Sequence, residues 1–264
     1  LSDMGKEVLI CLDGDAERYT SMLDPLPLFP EGREMKDAAR VFTTGRNFAF
    51  VMVDCSEPER TGRAAQALLY AEASISIDHH VTSKEAADFS YSEPEISSAS
   101  ELLYWLFKLS AIPVTRTMGN ALFMGIVFDT GGLRHSCTSA DTFQMAADLK
   151  RKGVDTTHLT NQLLHTKSLS EMKALSAAIN QSKLYQGKTQ QGEALGVLIS
   201  YLSLSDMNRY GFSSSDCDGV VAHLNEIREA ETCLFLRELT PGTIRVNMRS
   251  KHVVDVNREN EALC

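Results

Sequence analysis

Ala73-Ser74-Ile75-Ser76-Ile77-Asp78-His79-His80 is the stretch on which the reading of this chain turns. Its first five residues suit a buried strand. Where that strand would surface stand a carboxylate and two imidazoles. Adjacent strand residues point to opposite faces, but at a strand end the chain turns and neighbouring imidazoles can share one cleft. Two accounts fit. In one, a solvent-facing loop carries two histidines behind an aspartate cap. In the other, imidazole nitrogen and carboxylate oxygen converge on a divalent metal ion. A tripeptide alone does not separate them.

Working outward, Phe48-Ala49-Phe50-Val51-Met52-Val53 is a continuous apolar run ending in Asp54, the pattern of a strand buried on both faces. Thr61 to Ala71 has helical composition. Ser98 with Glu101 fits a capping box, and the helix it opens carries Leu102, Leu103, Leu106 and Leu109 at helical spacing. Asn120 to Phe128 reads as a further apolar strand leading into Asp129-Thr130-Gly131-Gly132. Thr142 to Lys152 looks helical and stops at Gly153. Nearer the start, Val8 to Leu12 suits a strand, and Pro25, Pro27 and Pro30 mark a loop. Strand and helix patterns thus alternate to about residue 150, which predicts an α/β fold: a mostly parallel sheet flanked by helices. Asp54, Asp78 and Asp129 each follow an apolar run. One such aspartate is an ordinary helix cap. Three at the carboxyl edge of one sheet, where α/β proteins bind ligands, favour a metal or phosphate site.

Residues 1–150 are therefore expected as one domain, 151–185 as a helical connector, and 186–264 as a smaller α/β domain. In the latter, Gln186 to Glu193 reads as a turn, followed by Leu195–Tyr201, a helix around Val220–Ile227, Thr232–Leu236 and Thr243–Met248. In the last strand Val246 and Met248 alternate with Arg245, Asn247 and Arg249, giving one apolar and one cationic face. Arg249-Ser250-Lys251 at its end suits a phosphate grip, or is a solvated strand end.

The 264 residues are 43% hydrophobic and 23% charged, an ordinary globular composition. A net charge of −9 argues against binding long duplex nucleic acid through phosphate neutralisation. The six cysteines, Cys11, Cys55, Cys137, Cys217, Cys233 and Cys264, show no zinc-type spacing and read as free thiols of a reducing compartment. No apolar stretch approaches a membrane span of about 20 residues, and no signal peptide is evident, so the expected location is cytoplasmic. His135, His158, His165, His223 and His252 are assigned no role, and Trp105 and the methionines are expected in the core.

Three motifs in order, Val51-Met52-Val53-Asp54-Cys55, Ser76-Ile77-Asp78-His79-His80 and Gly125-Ile126-Val127-Phe128-Asp129-Thr130-Gly131-Gly132-Leu133-Arg134, resemble those of the DHH phosphoesterase superfamily. Within it they are similar to the RecJ-like nano-RNase, or oligoribonuclease and pAp phosphatase, group. Arg249-Ser250-Lys251 with Val253-Val254-Asp255-Val256 resembles the DHH-associated substrate-binding domain. The resemblance implies a metal-dependent phosphoesterase that cuts short oligoribonucleotides to mononucleotides and acts on pAp. It implies that Asp54 bridges two metal ions, that His79 and Asp129 ligate one of them, and that Asp78 orients the histidines. His80 would face the scissile phosphate, and Arg249, Ser250 and Lys251 would hold substrate. The implied ions are Mn²⁺, with Mg²⁺ as an alternative. The implied partners are short single-stranded oligonucleotides, dinucleotides and pAp, with no membrane; a homodimer is one assembly open to such a chain. Two other readings stand beside this one: a phosphodiesterase of cyclic or linear dinucleotides, and a non-catalytic nucleotide-binding module.

The sequence departs from the family at both ends. The family's first motif, H-x-x-P-D-x-D-A, is imitated by Asp13-Gly14-Asp15-Ala16, but Leu9 and Leu12 occupy its His and Pro places. Gly5 to Leu12 is then expected to be the family's second strand, the first motif to be missing, and the Gly-rich loop after Val256 to be missing too. With fewer ligands, the expectation is one well-held ion and impaired activity.

Overall fold

A computed structural model of the protein describes residues 1, 4–6, 8, 10, 47–80, 87–188, 192, 194–251 and 254. The expected strand over Val8–Leu12, the prolines 25–30, the D-G-D-A imitation, Val253 and Asp255–Val256 therefore fall wholly or mostly outside the described residues. The chain divides into two compact units, Leu1–Thr166 and Lys167–Cys264.

In the first unit three parallel strands, β1 (Ala49–Val53), β2 (Ala73–Asp78) and β3 (Phe89–Ser92), lie in the order β1-β2-β3. Val51 pairs with Ile75, and Ile75 with Phe89. A 3₁₀ turn, Pro58–Ala64, and α1 (Ala65–Leu68) carry the chain from β1 to β2. Met52, Ser74, Ser76 and Asp78 are buried. The expectation that β1 is buried on both faces is corrected: Val51 and Val53 are 43% and 46% exposed, on the face opposite Met52. An unbroken apolar run reports hydrophobic residues, not what covers each of them. β3, with its mixture of serines and aromatics, was not anticipated.

α2 (Ala99–Leu109), α3 (Arg116–Asp129) and α4 (Ala140–Arg151) pack into the unit's core. Leu122, Phe123, Ile126 and Val127 of α3 meet Tyr104 of α2 and Met145 and Leu149 of α4. The reading of Asn120–Phe128 as a strand is thus corrected to a helix, capped by the Thr115 side chain. Its buried residues recur at 122/123 and 126/127, a helical stripe, but the intervening positions are also mostly apolar and hide it. Asp129 therefore closes a helix, so only Asp54 and Asp78 stand at strand ends. α2 and α3 approach closely at Gly125, where a Cβ atom would lie 1.9 Å from the Ser100 hydroxyl. Ser98 caps α2 as expected, accepting from the Glu101 N–H, but the Glu101 carboxyl turns to Ser97. α5 (Thr156–Thr160) and a π-helical turn, Asn161–His165, complete the described part of this unit.

The second unit is a four-stranded mixed sheet, β4 (Lys183–Lys188), β5 (Ala194–Leu202), β6 (Thr232–Thr240) and β7 (Thr243–Ser250). β5 and β6 are parallel and the outer pairs antiparallel. α6 (Leu169–Asn180), α7 (Leu204–Tyr210) and α8 (Val220–Asn225) lie over one face, burying Ala174, Ala178, Leu198, Met207, Leu224 and Phe235. Residues 156–165 of the expected connector go with the first unit, and α6 with the second. In β7 the alternation holds, but its sense was not readable. Val246 and Met248 pair opposite Leu236 and Leu234, away from the helices, and Val246 stays 47% exposed. Among the described residues no helix is long and apolar enough to cross a membrane.

Candidate metal centre

Two strand ends build the site. At the end of β1, Asp54 takes φ +62 and donates its N–H to the Ile77 carbonyl at 2.9 Å. The left-handed region is unfavourable for most L-residues but accessible to Asp and Asn, so the residue type fits the turn as well as any ligand. At the end of β2, Asp78 is 1% exposed. Its Oδ1 accepts from the His79 N–H (2.8 Å), the His80 N–H (3.3 Å) and His80 Nδ1 (2.6 Å). Burial pushes its pKa up, but the bonds from the His80 ring and backbone, Ser56 and the His79 backbone outweigh it and leave the carboxyl below its ordinary value.

These contacts fix both rings. His79 Nδ1 lies 3.3 Å from the Ile96 carbonyl, which can only accept, so Nδ1 carries the proton and Nε2 presents its lone pair. That Nε2 is 3.2 Å from Asp54 Oδ1. His80 gives its Nδ1–H to Asp78, leaving its own Nε2 free to act; the two rings stand 4.7 Å apart at 49°. Ligand atoms of Asp54, His79 and His80 all lie within 4.8 Å of one another.

Asp129 faces this group from the end of α3. Burial raises its pKa, the negative charge of Asp54 raises it further, and His79 and His80 partly offset both. It is not among the three whose atoms cluster within 4.8 Å. The structure thus brings Asp54, His79 and His80 together, sets Asp78 behind the histidines, and keeps Asp129 close in the same field. The loop after Asp129 is tightly built. Gly131, Gly132 and Leu133 take φ +57, +77 and +65, and buried Thr130 accepts the Leu133 N–H on its hydroxyl at 2.9 Å. His135, given no role from sequence, places Nδ1 3.0 Å from the Asp129 carbonyl. Its only sequence signal is its place in a Gly-Gly loop six residues on. The Ile96 carbonyl, being backbone, has none.

The donor set fits a divalent cation. Imidazole nitrogen with carboxylate oxygen suits transition ions, and a 3.2 Å separation of Nε2 and Oδ1 resembles neighbouring ligands of a six-coordinate ion with bonds of about 2.1 Å, which lie about 3 Å apart. Outer carboxylate and carbonyl acceptors hold each imidazole, as in metal sites generally. In the second unit Arg249 is exposed at the end of β7. Ser250 Oγ bonds Glu231 Oε1 at 3.3 Å, and Lys251 Nζ donates to the Ile227 carbonyl at 2.6 Å.

No protein-family model matches the chain. It is 24% identical to a probable bifunctional oligoribonuclease and PAP phosphatase of Streptococcus mutans over 180 residues, 68% of this chain and 55% of that protein. It is 23% identical to the bifunctional oligoribonuclease and PAP phosphatase of Thermus thermophilus over 239 residues, 90% of this chain and 67% of that protein. The chain therefore spans little more than half the length of the first relative and two thirds of the second. Its fold matches the crystal structure of an exopolyphosphatase-related protein from Bacteroides fragilis with a TM-score of 0.83 at 19% identity, over 97% of this chain and 74% of that one. The motifs, the fold and the relatives agree: this chain is similar to the DHH phosphoesterase superfamily, and within it to the proteins named bifunctional oligoribonuclease and PAP phosphatase.

Proposed function

We propose that this chain is a metal-dependent phosphoesterase that hydrolyses short oligoribonucleotides to mononucleotides and removes a phosphate from pAp. The observation that carries the reading is the Asp54–His79–His80 cluster at the ends of two parallel strands, with Asp129 facing it. Asp54, His79 and Asp129 would hold the ion, Mn²⁺ for preference, with Mg²⁺ as the alternative. A bound divalent ion supplies a hydroxide nucleophile near neutral pH and neutralises phosphate charge. Asp78 keeps the His80 ring oriented through Nδ1–H, so that Nε2 can hold or pass a proton at the phosphate. Arg249, Ser250 and Lys251 are proposed to receive a substrate phosphate, and the net charge of −9 favours short substrates over long duplexes. The relatives' names do not favour the cyclic-dinucleotide or non-catalytic readings.

The test is titration of the metal-stripped chain with Mn²⁺, followed by assays on a diribonucleotide and on pAp. The reading expects Mn²⁺ binding, release of mononucleotide and of phosphate, and loss of all of these in His79→Ala. No Mn²⁺ binding, or equal turnover by His79→Ala, would overturn it.

A further inference from the structure

Glu101 is only 2% exposed, and its neighbours Ser97, Ser98 and Thr142 are buried with it. Its Oε2 accepts from the Ser97 hydroxyl, from the Ser97 N–H at 3.4 Å and from the Thr142 hydroxyl at 2.8 Å. Its Oε1 accepts from Trp105 Nε1 at 3.4 Å. All these donors are neutral, and burying a carboxyl without a cation is costly. Helix capping does not require it, since the Ser98 side chain already caps α2.

The residue that Glu101 grips follows the one that grips His79. Ser97 is held at both its hydroxyl and its N–H, and the preceding Ile96 carbonyl accepts from His79 Nδ1 at 3.3 Å. On its other side the turn is tied to the end of β2, where the Glu93 N–H donates to the Asp78 carbonyl and the Ile96 N–H to the Glu93 carbonyl, both at 3.2 Å. The turn over 93–98 is thus bonded on one side to the end of β2, next to His79, and on the other to the buried carboxyl.

We propose that Glu101 is a positioning residue of the metal centre. By clamping Ser97 it fixes the Ile96 carbonyl, and so holds His79 in the Nδ1–H tautomer with Nε2 turned toward Asp54. Glu101 itself reaches neither metal nor substrate. The inference rests on the metal-centre reading above.

The test uses the full chain, metal-free and ¹⁵N-labelled at histidine, in mildly alkaline buffer. Long-range ¹H–¹⁵N spectra report the tautomer of His79, identified by its loss in His79→Ala; Mn²⁺ affinity is measured by calorimetry on the same samples. Glu101→Gln replaces one acceptor oxygen by a donor, and Ser97→Ala removes one link with less disturbance to folding. Both are expected to give a mixture of His79 tautomers and to weaken Mn²⁺ binding by about 10- to 100-fold. Tyr104→Phe, which breaks a bond elsewhere on α2, should lower Tm and leave both readouts unchanged. If Glu101→Gln does not fold, Ser97→Ala decides. A His79 that keeps the Nδ1–H form in the folded variants, or a Tyr104→Phe chain that shifts as much, overturns the proposal alone. A wild-type chain that binds no Mn²⁺ overturns the metal-centre reading and this proposal with it.

Discussion

Asp78 Oδ1 is shared by three N–H donors, two of them from the backbone of the histidines it orients. One oxygen thereby sets both the turn at the strand end and the tautomer of His80. Asp78→Asn keeps the size and one acceptor, but loses the charge that strengthens these bonds. It should weaken Mn²⁺ binding by about 10- to 100-fold, measured by calorimetry, whereas His79→Ala should abolish it. Equal losses in the two variants would mean that Asp78 is itself a ligand. At this scale the sequence was most readable, because carboxylate and imidazole chemistry is carried by residue type. It did not show that His80 would join the Asp54–His79 group more closely than Asp129, since that depends on where a helix ends.

At the scale of elements, the α2–α3 crossing and the α2–α4 contact are the informative ones. A Cβ atom at Gly125 would overlap both the hydroxyl and the Cβ of Ser100. Gly125→Ala should therefore cost about 1–3 kcal/mol despite alanine's better helix propensity, seen as a lower Tm. Ser100→Gly in the same chain should recover part of the loss. Between α2 and α4, the Tyr104 hydroxyl donates to Asp148 Oδ2 at 2.6 Å. That bond, the largest influence on it, lowers the Asp148 pKa against the opposing effect of burial, with help from Lys108. Burial and the same bond raise the pKa of the phenol, so it stays protonated. A depressed carboxylate pKa stabilises the fold above the unfolded value of about 4 and loses that contribution as pH falls through the folded value. Tyr104→Phe should thus cost about 1–2 kcal/mol at neutral pH, and less in acid, by chemical denaturation at several pH values. One misread element, α3, has a plain cause. α3 is apolar on nearly every side because helices surround it, and so it shows the same unbroken run as a strand.

Across the whole molecule, the α/β character of both units was legible, and so were β5, β6 and β7 of the second; the reading of a turn from Gln186 is corrected, since Gln186–Lys188 belong to β4 and pair with β5. The division between the units was less legible, because residues 156–180 are helical apart from the short break at 166–168, and only packing assigns α5 to one unit and α6 to the other. Each unit has its own core, and the clustered residues proposed to hold the ion all belong to the first. Arg249→Ala in the second unit should therefore leave Mn²⁺ binding intact while raising KM for pAp; a fall in metal affinity would contradict the assignment of separate roles. The backbone at Asp54 carries a last implication. Glycine would accept its left-handed torsion and forfeit the ligand, and glutamate would keep the charge but resist the torsion. Asparagine would satisfy the torsion and keep the size of the side chain while withdrawing the anion. Substitution of one oxygen by an amide nitrogen is then the smallest step that could silence the proposed centre with the architecture intact.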